Sequence, residues 1–586
     1  MYSALKQRSK EKLIYAFYKH GHRPSPEQLK AVLAIQDTLT LMLSGNAAPK
    51  YYLSSLDPGM GKTTSILTWL EAYLENPVAF GDQGVLIALD RLDEIQRYIE
   101  DGMIPKQYYA VLVSDNSEEG NELNNMGLGK FGRNNALVLF TTKKQIHNKS
   151  HNGQFNNVSA FHYNGQPRRV KIWDESFTIG KEAVLNLYEI GKLLTSLSSV
   201  SCDLSEIILQ IANDIVRRKS GDVYQMPELP ELPKEHGVNT IWETPKEREI
   251  ANLFWRFSGQ LVSIRSDKKS LIIVDCVPSI PNDFAACLIL DASARMKATY
   301  ELQNEERNDI IRLPYSNKSY RNLEVNVWPM KSGKQIVKDI KIMIPELVEL
   351  IGSTPREDFL VILHKDNKES VSAALIKQLT QEQLSCLKYC TWGRHTASNE
   401  FSNIANIIML SPYQFPDYAY EATTRAATVM TTAKGKPTIE HIKRVKKGEI
   451  SSNILQAVNR GMPRKSENDT CPPCKLWLIT HPNTGIAKEL PSIFPDCQIK
   501  PWKVKDVYLT SGKQRKTFAH LQYLFKQGVT EVLVKTVREH LGLTGTASNF
   551  TRDVINQLAF KDAIRNIGWT CELDGVSYVF RRLQAI

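Results

Sequence analysis

YYLSSLDPGMGKTTSILTWL, residues 51–70, decides the reading of this chain. Its opening residues are aromatic and apolar and end in small ones, as a short buried strand does. Ile66, Leu67, Trp69 and Leu70 then return at helical spacing. Between the two lies Asp57-Pro58-Gly59-Met60-Gly61-Lys62-Thr63-Thr64, so the segment reads as strand, glycine loop, helix. Gly59 and Gly61 let the loop turn its backbone N–H groups, those of Met60 and Thr64 included, around a phosphate. A helix starting near Lys62 points its positive dipole end at the same place. Lys62 is then set to reach the β and γ phosphates and the Thr63 hydroxyl to hold Mg2+, so ATP and Mg2+ are the expected cofactors. The pattern departs from G-x-x-x-x-G-K-[ST] at its first position, where this chain has Leu56. The bland alternative is a glycine-rich turn before an ordinary helix.

Upstream, residues 1–50 read as two helices, with Ser25 capping the second and Pro26 in its first position, which puts Gln28 in the first turn. Downstream, residues 84–90 (GVLIALD) form a continuous apolar run of the kind buried in a parallel sheet, and a charged helix follows over 91–101. Residues 114–135, rich in Asn, Gly and Ser, read as a mobile loop before a strand at 136–140. Arg169-Val-Lys-Ile-Trp173 then runs into Asp174-Glu175-Ser176. Strands alternating with helices mean a parallel sheet, whose ligands bind at the carboxyl ends of its strands. An acidic pair there places Asp174 beside the metal and Glu175 beside the γ-phosphate, where it orients or deprotonates the attacking water. Without the P-loop, such a pair is an ordinary strand end.

Residues 180–265 read as a mostly helical insertion, with a proline-rich linker at 226–233. The sheet is expected to resume at 270–275 and again at 286–291. A second αβ series begins near 320, with strands at 323–327, 359–363 and 404–410 and helices at 333–351 and 370–379. The stretch 434–447 carries Lys434, Lys436, Lys443, Arg444, Lys446 and Lys447 against one Glu440, either a solvated helix face or a nucleic-acid contact.

By Gln456-Ala-Val-Asn-Arg460-Gly-Met-Pro-Arg464 the order of elements resembles superfamily 2 DNA helicases, particularly those of phages and plasmids. DPGMGKTT stands as motif I, VLIALD as Ia, LFTTKK as the next nucleic-acid loop and WDES as motif II. LDASA stands as III, LVILHK as IV, TWGRHTASNEF with the strand after it as V, and QAVNRGMPR as VI. About 460 residues are covered. The resemblance implies two RecA-like P-loop NTPase lobes, residues 51–310 and 311–500, sandwiching ATP, with Gln28 reading the adenine edge. It also implies that Arg460 and Arg464 stabilise charge on the γ-phosphate. Motif II is unusual in reading Asp-Glu-Ser-Phe, and motif VI has one residue more between its arginines than the commonest spacing, which leaves open which is the finger.

The tail is of another kind. Helices at 517–527, 532–541 and 548–558, then a hairpin over 569–581 with Asp574-Gly575 at its tip, read as a winged helix over 511–586. From Lys500 to Ile586 there are 14 Lys and Arg against 7 Asp and Glu, a net of +7 out of the chain's +11, which favours DNA as partner. The composition is that of a soluble protein, with hydrophobic residues at 42%, no uninterrupted apolar core at the N-terminus and no later run of eighteen uncharged apolar residues, so a cytoplasmic place and no membrane contact are expected. Nine cysteines fit reduced thiols. Cys471 and Cys474 have zinc-knuckle spacing, and a metal site there needs Cys386 and Cys390 to converge on them. The reading is an ATP-dependent DNA helicase or translocase, α/β in class, acting on single-stranded and duplex DNA with other replication proteins. A remodeller of protein–DNA complexes and an ATP-switched replication initiator stand as alternatives.

Overall fold

The computed structural model describes residues 2–150, 154–198, 200–232, 238–268, 270–330, 340–393, 400–502, 509, 511–543 and 545–583. The chain divides into two compact units. The first comprises Met1–Lys318, Gln414–Ser452 and Ser466–Asp469; the second comprises Ser319–Tyr413, Asn453–Lys465 and Thr470–Ile586.

The first unit is built on a seven-stranded, wholly parallel sheet. Its order is Ile310–Arg312, Tyr51–Ser54, Cys287–Leu290, Val170–Asp174, Val85–Leu89, Val138–Thr142, Tyr109–Leu112. Central strands are buried on both faces, which is why they read as unbroken apolar runs. The register matters most: Ser54 pairs with Leu290, and Leu290 with Asp174. The loop after residue 54 and the carboxylate at 174 therefore leave the sheet at one level, two strand spacings or about 10 Å apart. Helices Tyr2–Lys19 and Pro26–Leu43 pack with the P-loop helix Lys62–Leu74.

Three expectations change here. Residues 114–135 are not a loop throughout: Ser117 caps a helix at Glu118–Asn124 and a 3-10 turn follows at Arg133–Asn135. The strand Ser270–Pro278 does not rejoin the parallel sheet but pairs antiparallel with Gly180–Asn186 and Leu261–Asp267. The insertion is thus a four-stranded antiparallel sheet with helices Leu187–Leu197, Cys202–Val216 and Pro245–Arg256 on one face, rather than helices alone. Its other face takes helix Asp417–Thr428, whose Ala422 packs on Ile272 and Val274. Gly180 permits the approach, because a Cβ there would lie 2.7 Å from the Ala426 carbonyl. Arg265 and Arg425 both pair with the buried Glu421 at this junction. Within the basic stretch, Arg444 pairs with Glu301 and Glu305 and Lys446 with Asp417.

The second unit repeats the plan with six parallel strands, in the order Leu387–Thr391, Phe359–Leu363, Asn406–Met409, Cys474–Ile479, Leu323–Trp328, Gln498–Pro501. Cys390 and Cys474 lie on strands three spacings apart, about 14 Å, so the two cysteine pairs do not converge on one ion. Of the predicted helix at 333–351, the part from Ile340 to the end is helical, and residues 333–339 lie outside the described residues. So do 394–399 of the motif V segment and residue 233 of the proline-rich linker.

The tail has its own core around Leu521, Val537, Phe560, Trp569 and Phe580. Helix Gly512–Lys526 leads to strand Glu531–Leu533 and helix Val534–His540. Helix Ala547–Phe550 continues as a π-helical turn at Thr551–Ile555, and helix Leu558–Asn566 precedes the hairpin Trp569–Asp574 and Ser577–Arg582. The helix before the hairpin is thus Leu558–Asn566. The hairpin turns on Gly575-Val576, since Asp574 pairs with Ser577 and Gly575 takes φ +60°. Among the described residues no helix is long and apolar enough to cross a membrane.

Candidate nucleotide site

The strand Tyr51–Ser54 is fully buried and hands the chain to Leu56 and Asp57, also buried. Gly59 takes φ +81° and Gly61 φ +96°, conformations that side chains disfavour. At Gly61 a Cβ would in addition lie 2.7 Å from the Phe17 ring. Gly61 is the N-cap of helix Lys62–Leu74, and it offers no capping side chain. The first-turn N–H groups thus face an anion site without a side-chain cap in it.

Three side chains hold this loop from outside it, one of them braced by a fourth. Arg295 Nε is 3.1 Å from Asp57 Oδ1, the buried Lys318 donates to the Pro58 carbonyl at 2.8 Å, and Gln28 donates to the Met60 carbonyl at 3.1 Å. His22 stands 2.9 Å from the other end of the Gln28 amide. Gln28 is fully buried, so as placed its amide serves the loop and presents no edge to an adenine. Lys62 itself folds back to the carbonyls of Leu56 and Asp57, the second at 3.2 Å. A phosphate in the cradle is a stronger partner for its ammonium than two loop carbonyls. Arg295 and Lys318 carried no signal in the sequence, because each lies more than two hundred residues from the loop it supports.

The carboxylates close the other side. Asp174 Oδ2 accepts a hydrogen bond of 2.6 Å from Tyr98 Oη, a hydroxyl whose pKa burial and Asp174 raise while the Thr63 side chain lowers it. Burial pushes the Asp174 carboxyl up, opposed by the Tyr98 hydrogen bond and by Lys143 and Lys62. Glu175 has φ +69°, a strained value for a residue with a side chain, held by its N–H on the Leu290 carbonyl at 2.9 Å. Its carboxyl is pushed up to about 8, mainly by burial, with Glu94, Asp174 and Asp90 adding and Lys143 opposing. Glu94 is pushed up to about 7 by the same cause and by Asp174. Lys143, from LFTTKK, is buried with Nζ 2.7 Å from Asp90 Oδ2.

This edge is rich in carboxylate oxygen and short of positive charge, which suits a hard divalent cation. Among the described residues no group of three or more His, Cys, Asp or Glu is set to hold a metal ion. Mg2+ held with a nucleotide does not require one, because phosphate oxygens and water complete its shell. Thr63 and Asp174 fit that role.

Behind motif II, Ser176 Oγ accepts from the buried Lys297, which lies 3.4 Å from Asp291 Oδ2 and 3.9 Å from Glu449. Burial pushes Asp291 up, but Lys297 with the hydrogen bonds of Ser293 and Tyr300 outweighs it and leaves the carboxyl below its usual range. Ser452 donates to Ser293 Oγ at 2.8 Å, and Gly448 brings its helix so close that a Cβ would meet the Met296 carbonyl at 2.5 Å. Motifs II and III and the middle of helix Ile439–Val458 thus form one packed cluster.

Of the predicted site residues, the first unit brings together Gln28, Gly59, Met60, Gly61, Lys62, Thr63, Thr64, Asp174 and Glu175. Arg460 and Arg464 belong to the second unit, on the turn that ends helix Ile439–Val458. There Gly461 packs against the Ile404 carbonyl. At the carboxyl ends of the second sheet His364, Trp392 and Tyr413 form an aromatic cluster, with Trp392 and Tyr413 stacked at 5.5 Å.

Fold and site together define a P-loop protein built on two RecA-like parallel sheets. No family model and no curated protein sequence matches the chain. Solved structures do. S. tokodaii Xpd4 is 12% identical, over 79% of this chain and 98% of its own, at a TM-score of 0.46. S. cerevisiae Dbp5 bound to RNA and ADP BeF3 is 10% identical over 88% and 99%, at 0.36. The Mycobacterium smegmatis helicase Lhr bound to ssDNA and AMP-PNP is 12% identical over 98% of this chain and 60% of its own, at 0.35. At such scores the fold stands on the sheets and the glycine loop rather than on these likenesses.

Proposed function

We propose that the protein is an ATP hydrolase that couples turnover to movement on or unwinding of DNA, a superfamily 2 helicase or translocase. The observation that carries it is the meeting of Thr63, Asp174 and the open N-terminus of helix Lys62–Leu74 at one edge of a parallel sheet. Backbone N–H groups from Gly59 to Thr64 and the Lys62 ammonium bind the β and γ phosphates. Mg2+, held through Thr63 and Asp174, supplies charge neutralisation on those phosphates. Glu175 takes a proton from water as its oxygen attacks the γ-phosphorus, and the bond to the bridging oxygen breaks to give ADP and phosphate. A carboxyl near 8 is a strong enough base for this once ionised. Arg460 or Arg464 stabilises the charge that develops when the lobes close on ATP.

The tail binds DNA as a winged helix, its recognition helix being Leu558–Asn566, whose exposed residues include Lys561 and Arg565. Arg552, outside that helix, is paired with Asp553. The motif order, resembling phage and plasmid helicases, extends the proposal to replication of mobile elements. Glu175→Gln tests the chemistry: ATP binding is retained within a few-fold and hydrolysis stalls. Unaltered turnover in that variant would remove Glu175 from the mechanism.

A further inference from the structure

Gln28 stands where the resemblance puts the reader of the base, yet both polar atoms of its side chain are engaged inside the protein. Nε2 donates to the Met60 carbonyl at 3.1 Å, and Oε1 lies 2.9 Å from His22 Nε2. The backbone N–H is taken as well, by the Ser25 cap at 3.0 Å. Because the Met60 carbonyl can only accept, the amide oxygen is the atom that faces His22, and an imidazole proton sits on Nε2. The Phe17 ring holds that imidazole edge-on, with centroids 5.1 Å apart, and also lies close against Gly61. Imidazole and amide thus form one brace on the carbonyl between the two loop glycines.

Reading adenine takes a donor for N7 and an acceptor for the 6-amino group at once. Gln28 has no exposed surface, so a base touches its amide only if the side chain swings out of the interior. That breaks both bonds and strands the Met60 carbonyl and the His22 N–H without partners. Two bonds are exchanged for two, and the loop loses its brace. The groups the site offers a nucleotide elsewhere, the N–H groups of the helix start with Lys62, Thr63 and Asp174, address phosphate and metal, which every nucleoside triphosphate carries alike. We propose that the site takes nucleoside triphosphates without selecting the base, and that Gln28 and His22 are positioning residues for the phosphate loop. The proposal rests on the nucleotide-site reading of Lys62, Thr63 and Asp174 and widens its substrate class from ATP to purine and pyrimidine triphosphates.

The full-length protein is given ATP, GTP, CTP and UTP in turn, and a fluorescent ADP analogue is displaced from it with ADP, GDP, CDP and UDP. Both kcat/KM and displacement agree across the four bases within about tenfold, where a site that hydrogen-bonds its substrate discriminates by about four orders of magnitude. An adenine preference of more than about tenfold in either measurement overturns the proposal. Gln28→Ala tests the brace: kcat falls about ten- to a hundredfold for all four triphosphates alike, while displacement by the diphosphates stays close to the parent's. A loss confined to ATP makes Gln28 a base reader and overturns the proposal, and so does a parent-like kcat. Should Gln28→Ala fail to fold, the His22 variants decide: His22→Ala shows the same shared fall, and His22→Gln, which keeps a donor toward the Gln28 amide oxygen, recovers turnover for every base. No recovery in His22→Gln overturns the brace. Lys62→Ala separates the two layers. If it turns over the four triphosphates as fast as the parent, the nucleotide-site reading itself fails; if it loses them all while the parent selects adenine, only the indifference to base fails.

Discussion

The two parallel sheets share an architecture and differ in what stands at their carboxyl ends. In the first, the strand ends carry a glycine loop with two positive-φ residues, a helix start without a side-chain cap, and Asp90, Asp174 and Glu175 with Lys143 among them. In the second, the corresponding positions carry His364, Trp392 and Tyr413, aromatic and largely buried. The fold supplies the platform twice, but phosphate chemistry needs close backbone approach and a surplus of carboxylate, and the first sheet has both. An aromatic edge offers faces for stacking and packing in place of charge.

The largest effect expected from this contrast is at Lys62. Lys62→Ala removes the cation opposite the β and γ phosphates and lowers ATP turnover by about three orders of magnitude or more, with circular dichroism unchanged. Parent-like hydrolysis in that variant would place the chemistry elsewhere. Next come Arg460→Ala and Arg464→Ala. An arginine that acts on transition-state charge adds little to ground-state binding, so at least one variant retains nucleotide and loses DNA-stimulated turnover. Full stimulated turnover in both would show that the second unit contributes no finger.

Which parts of this contrast were legible beforehand depends on how local their signals are. The glycine loop, Asp174-Glu175, the central strands of the first sheet and the strands Phe359–Leu363 and Asn406–Met409 of the second each announce themselves within ten residues. The strands Tyr109–Leu112 and Ile310–Arg312 did not, being three or four residues long at the sheet edges. Leu387–Thr391 is an edge strand that buries only Leu387 and Cys390, and Cys474–Ile479 was masked by the Cys-Pro-Pro-Cys before it. The run Leu271 to Val274 reads equally well as the middle of a parallel or an antiparallel sheet, because apolarity reports burial and not partner direction. Tyr98, Arg295, Lys318 and Lys297 reach the site through tertiary contacts alone.

A smaller effect sharpens the comparison between core and tail. Truncation before Ser511 leaves basal ATP hydrolysis in place and removes duplex affinity, lowering the log–log salt slope of binding by about two to four units. Lys561→Ala with Arg565→Ala in the full chain moves affinity in the same direction. Equal slopes for intact and truncated protein would make the tail a protein-docking module. The smallest effect contrasts two glycines. Gly485→Ala, at φ +70° with nothing within 4 Å, costs about 1 kcal/mol of strain. Gly61→Ala adds the contact with Phe17 to a similar strain and loses nucleotide binding as well; urea unfolding and nucleotide titration read the two apart.

The central claim is that ATP hydrolysis at the Lys62, Thr63, Asp174 and Glu175 edge drives movement on DNA. Strand displacement on tailed duplexes tests it most directly, run with the full-length protein, ATP and Mg2+, and with Glu175→Gln in parallel. The account predicts that the parent separates the strands only when ATP is hydrolysed, with turnover stimulated by single-stranded DNA, and that Glu175→Gln binds both ligands and separates nothing. Strand separation undiminished in Glu175→Gln, or ATP turnover in the parent indifferent to DNA, would contradict it.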